Sequence, residues 1–185
     1  ILGEIMASRS PSRFLSLGDT IFIEADEELT IGSVYAITDG PHTLSAAESD
    51  RSGYSYPILG HVEIKENQDN LYVGYIKSGH LIVQRGAVIM DLPGRIQNIK
   101  PIPGAESLEG VILVDSEIST TTSAQHKQVF VNRGSEDGLK PGMVFRTYQH
   151  RDPSNNKWIT DADFLPEADI LVIQVSEDFS AGLII

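Results

Sequence analysis

The stretch Gln128-Val129-Phe130-Val131-Asn132-Arg133-Gly134-Ser135-Glu136-Asp137-Gly138-Leu139-Lys140-Pro141-Gly142-Met143-Val144-Phe145 decides the fold. It reads as two apolar strands joined by a turn with three glycines. Working outward, Val129-Phe130-Val131 echoes Ile21-Phe22-Ile23, and Leu139 to Phe145 echoes Leu29-Thr30-Ile31-Gly32-Ser33-Val34-Tyr35. Further on, Ala168 to Ile173 echoes Leu59 to Ile64, and Ala181-Gly182-Leu183-Ile184 echoes Val73-Gly74-Tyr75-Ile76. The offset stays between 108 and 110 residues. Strand-like blocks recurring in one order at a fixed spacing are the mark of a duplicated β-module.

The blocks are short, rich in Val, Ile, Tyr and Phe, and bounded by Gly, Pro, Asn and Asp, as strands are. Strands are expected at 20–24, 33–38, 61–65, 71–77 and 87–90, then at 110–114, 128–132, 143–148, 170–175 and 181–185. Helix is expected only as single turns, at Ser8–Leu15, with Ser10 as cap and Pro11 at the first position, and at Glu136–Leu139. The fold class is therefore all-β: two tandem small barrel-like modules of SH3 or OB type. The expected boundaries are 1–100 for copy one with its returning strand, 101–109 for a proline-stiffened linker, and 110–185 for copy two.

The turn itself reads as structural. Gly134, Gly138 and Gly142 supply flexible positions, Asp137 belongs to the turn, and Leu139 plugs the barrel end. Its acidic Ser-Glu-Asp run repels phosphate and lacks the oxygen ligands of a calcium loop. Each copy also carries a long loop at an equivalent point, 39–57 and 149–167, and loops of that length are often functional. Tyr54, Tyr56 and Trp158, the sole Trp, are the candidate ligand-binding residues, because aromatic faces stack on sugars and pack on protein partners. The alternative is that they fold back over the barrel ends.

Charge and composition exclude more than they suggest. The net charge of −12 is evenly divided, −6 over residues 1–108 (8 basic, 14 acidic) and −6 over 109–185 (6 basic, 12 acidic). Nucleic acid is not an expected partner, and the balance also counts against docking on an anionic membrane surface. No apolar run is long enough to span a bilayer, so membrane insertion is not expected. There is no cysteine, which removes disulfides and thiolate chemistry. His42, His61, His80, His126 and His150 show no metal-ligand spacing, and neither a nucleophile elbow nor a phosphate loop is present. No metal or cofactor is expected, and the chain does not read as an enzyme. A carboxylate pair of glycosidase type stays open, since nothing singles out two of the 26 acidic residues.

Residues 128–145 resemble a segment of bacterial envelope proteins that carry an N-terminal LysM peptidoglycan-binding domain: strand, Gly-x-x-Asp-Gly-Leu, x-x-Gly, strand. Ile170–Ile185 looks like the last two strands of that family. Gly3-Glu4-Ile5-Met6 before Leu17–Ile23 looks like its start, and Pro57-Ile58-Leu59-Gly60 matches another landmark. A similar turn occurs in a periplasmic flagellar assembly protein. The resemblance implies a non-catalytic accessory domain in the periplasm or cell envelope, with peptidoglycan reached through a LysM segment that this chain does not contain, or with envelope proteins as partners. A structural part of a flagellar or secretion assembly is the alternative, and a carboxylate-pair cell-wall hydrolase the second. With Ile1 as first residue, the chain reads as a fragment whose leader and LysM segment lie upstream. It departs from the family at Arg85-Gly86-Ala87, where copy one has no Gly-Asp signature.

Overall fold

The computed structural model describes residues 1–69, 71–94, 98–102, 108–115, 127–149, 151–152, 154–155, 157–158 and 165–185. They are nearly all β. The chain divides into two compact units, Ile1–His42 with Ser55–Arg95, and Thr43–Tyr54 with Ile96–Ile185. The contiguous division expected from sequence is therefore corrected, because residues 43–54 group with the second unit. Pro101 and Ile102, expected in the linker, also belong there, since Ile102 bridges Met143 and its N–H donates to the Gly142 carbonyl (2.8 Å). Residues 103–107 of the expected linker lie outside the described residues.

The first unit is a closed barrel. Its strands are β1 (Gly3–Ser8), β2 (Thr20–Ala25), β3 (Val34–Thr38), β6 (Ile58–Gln68), β7 (Leu71–Gly79) and β8 (Val88–Met90), in the order β1-β2-β7-β6-β3-β8. Alternation puts Ile5, Ile21, Ile23, Ile37, Val62, Ile64, Ile76 and Ile89 inside. β-Branched side chains fill such an interior well because they are stiff and fit the pleat. Leu29 is buried as well, while its neighbours in the acidic turn Asp26-Glu27-Glu28 face solvent or lie near the surface.

The second unit is a seven-stranded sheet in the order β11-β12-β13-β10-β9-β4-β5. These are β4 (His42–Ser45), β5 (Gly53–Ser55), β9 (Ile112–Asp115), β10 (Gln128–Val131), β11 (Val144–Gln149), β12 (Leu165–Val175) and β13 (Ser180–Ile184). The expected second barrel is thus a sheet with β11 and β5 at its ends.

Duplication is visible in the register. Ile21 faces Gly74 in the first unit, and Val129 faces Gly182 in the second. Val62 faces Ile76, and Ile170 faces Ile184. Tyr35 faces Val62, and Phe145 faces Ile170. The pairing places Val62 opposite Ile170 in the repeat, a spacing of 108. So β1-β2-β7-β6-β3 and β9-β10-β13-β12-β11 are one five-stranded core used twice. The difference lies beside the first strand of each core. In unit one, β8 covers the outer edge of β1. In unit two, β4 covers the outer edge of β9, with Leu44 facing Asp115 and Ser45 facing Val114.

Ser8–Leu15 is not helical. Its serines explain why. Ser8, Ser10 and Ser12 each accept, on their hydroxyls, the backbone N–H two residues ahead, at 3.1, 3.4 and 3.2 Å. Such local bonds compete with helix formation. Residues 135–137 do form a single 3-10 turn, as the second expected turn required.

Gly74 and Gly182 mark the tightest repeated contact. A β-carbon on Gly74 meets the Val62 side chain, and one on Gly182 meets that of Ile170. Gly74→Ala and Gly182→Ala should each cost about 1–3 kcal/mol through overpacking. Urea titration measures this. Losses below about 0.5 kcal/mol at both positions would contradict the shared close approach.

Candidate functional site

The turn between β10 and β11 closes on itself. The Asp137 carboxylate accepts the Gly134 N–H at 2.9 Å, and the Gly138 N–H donates to the Ser135 carbonyl at 3.0 Å. Gly138 has φ +84° and Gly142 φ +99°, the left-handed region that favours glycine. Gly134 is needed for a different reason, because a β-carbon there overlaps the Glu177 carbonyl. Leu139 is buried, in a unit that is a sheet and not the barrel whose end it was expected to plug.

Copy one solves the same turn with phenols. The Leu29 N–H donates to the Tyr72 hydroxyl (3.2 Å) and the Thr30 N–H to the Tyr35 hydroxyl (2.9 Å). The repeat puts Ser180 at the place of Tyr72 and Phe145 at that of Tyr35. Neither replaces the lost phenol, and the Ser180 hydroxyl is buried with no partner among the described residues. The glycines and Asp137 take over the turn in copy two.

Asp137 has a second role. Arg51, from the excursion between β4 and β5, grips it with both terminal nitrogens, at 2.6 and 3.2 Å. The same guanidinium donates to the Asp178 carbonyl at 3.2 Å. Beside it, Asn132 is almost wholly buried and fully engaged. Its amide nitrogen donates to the Ser49 hydroxyl (2.9 Å) and the Asp50 carboxylate (3.1 Å), and its oxygen accepts the Val111 N–H (2.6 Å). Arg133 lies 3.5 Å from Asp50 and donates to the Glu109 carbonyl at 2.7 Å. Finally, the Phe179 ring lies against Gly53, where a β-carbon would come within 2.8 Å of it. Residues 49–53 are therefore clamped to 132–137 and 178–179 by charge, hydrogen bonds and one aromatic ring. Charge-assisted, bidentate pairs of this kind are the strong ones.

The electrostatics follow. The Arg51 guanidinium, helped by the Gly134 N–H, holds the Asp137 carboxyl below its ordinary value, and Asp137 in turn raises Arg51. On the first barrel, Lys65 and Lys77 grip Glu63 at 2.6 and 3.0 Å and lower it. On β11 and β12, Arg146 lowers Asp169. In each cluster the lowered carboxylate is matched by one or two cations. Among the described residues no group of three or more His, Asp or Glu is arranged to hold a metal ion.

The aromatic candidates sit on separate elements. Tyr54 lies on β5 and is exposed. Tyr56 is half-buried just before β6, in the first unit. Trp158 is exposed on a small hairpin in which it bridges Arg151, whose guanidinium stands 5.6 Å from the ring centroid. Much of the expected loop 149–167 lies outside the described residues. Sequence reading missed Arg51 and Asn132. The only signal was a single cation within a loop already flagged as long.

Asp137→Ala should lower stability by about 1–3 kcal/mol, since it strands Arg51 and the Gly134 N–H. The carboxyl is depressed in the folded state, so its contribution is present above the unfolded carboxylate range and is lost as pH falls through the folded value. Wild-type stability should therefore drop on acidification more steeply than that of the Asp137→Ala variant, as followed by urea melts from neutral to acid pH. Equal pH slopes would rule out the clamp as a stabilising pair.

Comparisons with protein-family models, with curated proteins and with solved structures return no match to this chain.

Proposed function

We propose that this chain is a non-catalytic interaction module of a LysM-type bacterial envelope protein, acting in the periplasm close to peptidoglycan. The observation that carries the reading is the Gly134–Gly142 turn. It holds the residues of the resemblance, and each has a definite place: Gly134 and Gly142 at close approaches, Gly138 at a positive φ, Asp137 as cap and clamp, Leu139 as a buried apolar anchor. A turn this constrained supports a scaffold role for the segment. The titration pattern points the same way. Arg51 and Asp137 shift one another, as do Arg146 and Asp169, and Lys65 and Lys77 lower Glu63, as structural ion pairs do. Carboxylate-pair hydrolysis needs one acid raised towards neutrality, whereas Glu63, Asp137 and Asp169 are all lowered.

A structural part of a flagellar or secretion assembly is the second reading. It is favoured by β5, which ends its sheet and carries the exposed Tyr54, since a terminal strand is suited to pairing with another chain.

Co-sedimentation with purified sacculi tests the first reading. The whole gene product should pellet with peptidoglycan, and the 185-residue chain alone should pellet weakly. If neither pellets, the wall-associated reading fails.

A further inference from the structure

The acidity of the chain is unevenly spread. From Ile5 to Gly18 and from Leu71 to Met90 there is no Asp or Glu, in a sequence with 26 of them. The fold of the first unit lays these two stretches side by side. Leu15 bridges Val83, its N–H donating to the Val83 carbonyl at 2.8 Å. Arg85 fastens them again, donating to the Ser12 carbonyl at 2.9 Å and to that of Ser10 at 2.8 Å.

Leu15 and Val83 are buried, yet the residues around them are strongly exposed. Leu17 is 69% exposed, Ile82 62%, Leu81 61% and Phe14 50%. Arg13 stacks on Phe14 at 5.6 Å, and Arg9 on Phe22 at 5.9 Å. Among the described residues no carboxylate pairs with Arg9, Arg13 or Arg85, whereas Lys65 and Lys77 share Glu63. Of the acids that flank these stretches, Asp19 turns back to accept the Ser16 N–H at 2.8 Å, and Glu4 places its carboxylate near Gly86 at the border of the region. The barrel end where β1 finishes and β2 begins therefore presents four protruding apolar side chains beside the guanidiniums of Arg9 and Arg13, with Arg85, held by two carbonyls, next to them.

We propose that this barrel end docks peripherally on an anionic lipid surface. Charge complementarity is local. At about 0.1 M salt, charges more than about 10 Å away are largely screened, so acidic groups farther off than this weaken the attraction of the arginines little. Protruding knobs suit a deformable bilayer interface, into which they partition while the guanidiniums meet lipid phosphates. A protein partner would need a matching socket. The inference is independent of the proposed function.

The test is sedimentation of the chain with vesicles of phosphatidylcholine alone and of phosphatidylcholine mixed with phosphatidylglycerol. Binding should require phosphatidylglycerol and weaken with salt. The double variant Leu17→Ser, Ile82→Ser should lower affinity about tenfold or more, equivalent to about 1.4 kcal/mol. Arg9→Gln with Arg13→Gln should lower it about fivefold per arginine. All four sites are exposed, so the variants should keep the wild-type melting curve, which circular dichroism checks. The proposal is overturned if the wild type ignores anionic vesicles or binds both compositions equally. It is also overturned if sizing reveals self-association that the apolar double variant abolishes while vesicle binding is unchanged, which would assign the patch to a second copy.

Discussion

The outer edge of β9 has to be covered, and the covering strand determines how the rest of the second unit is built. An open edge exposes a row of backbone donors and acceptors to stray pairing. In the first unit the strand after β7 returns as β8 and closes the barrel between β1 and β3. In the second unit β4, drawn from the long loop of the first copy, lies beside β9 instead. Four residues of strand are little to hold such a segment. The Arg51–Asp137 pair and the buried Asn132 supply the rest.

The two copies thus share a core and differ in how that core is finished. The shared part is strict, down to a glycine under Val62 in one and under Ile170 in the other. The divergent part is chemical. Copy one caps its acidic turn with two tyrosine hydroxyls, and copy two with a carboxylate that also receives an arginine. Once Asp137 caps the turn, it offers a fixed anion at the surface, and the excursion with Arg51 uses it.

Most of the strands were legible because alternation and turn residues are local signals. β6 and β12 proved longer than the apolar runs that announce them, since pairing extends through polar residues such as Glu66, Asn67 and Gln68. β1 was missed because Gly3-Glu4-Ile5-Met6-Ala7-Ser8 is short of strand formers, and its edges are satisfied by β2 and β8. β4 and β5 were missed because both are short and because β4 has a partner, β9, far along the chain; nothing in His42-Thr43-Leu44-Ser45 names β9. The same holds for the candidate site. Gly134, Gly138 and Leu139 could be read from the turn, whereas the meeting of Arg51 with Asp137, 86 residues apart, is set by topology. Net charge is an average over the chain: the carboxylate-free stretches appear only when the acids are mapped along the sequence, and their meeting appears only in the fold.

Native-state hydrogen exchange of the amides of residues 43–55 tests the central claim most directly. If β4 and β5 are strands of the second sheet held by the clamp, these amides are protected in the wild type. Their protection should then fall in Asp137→Asn, while the amides of β3 and β6 keep theirs. Exchange of 43–55 at the rate of an unstructured loop in the wild type, or an unchanged pattern in the variant, would contradict the account.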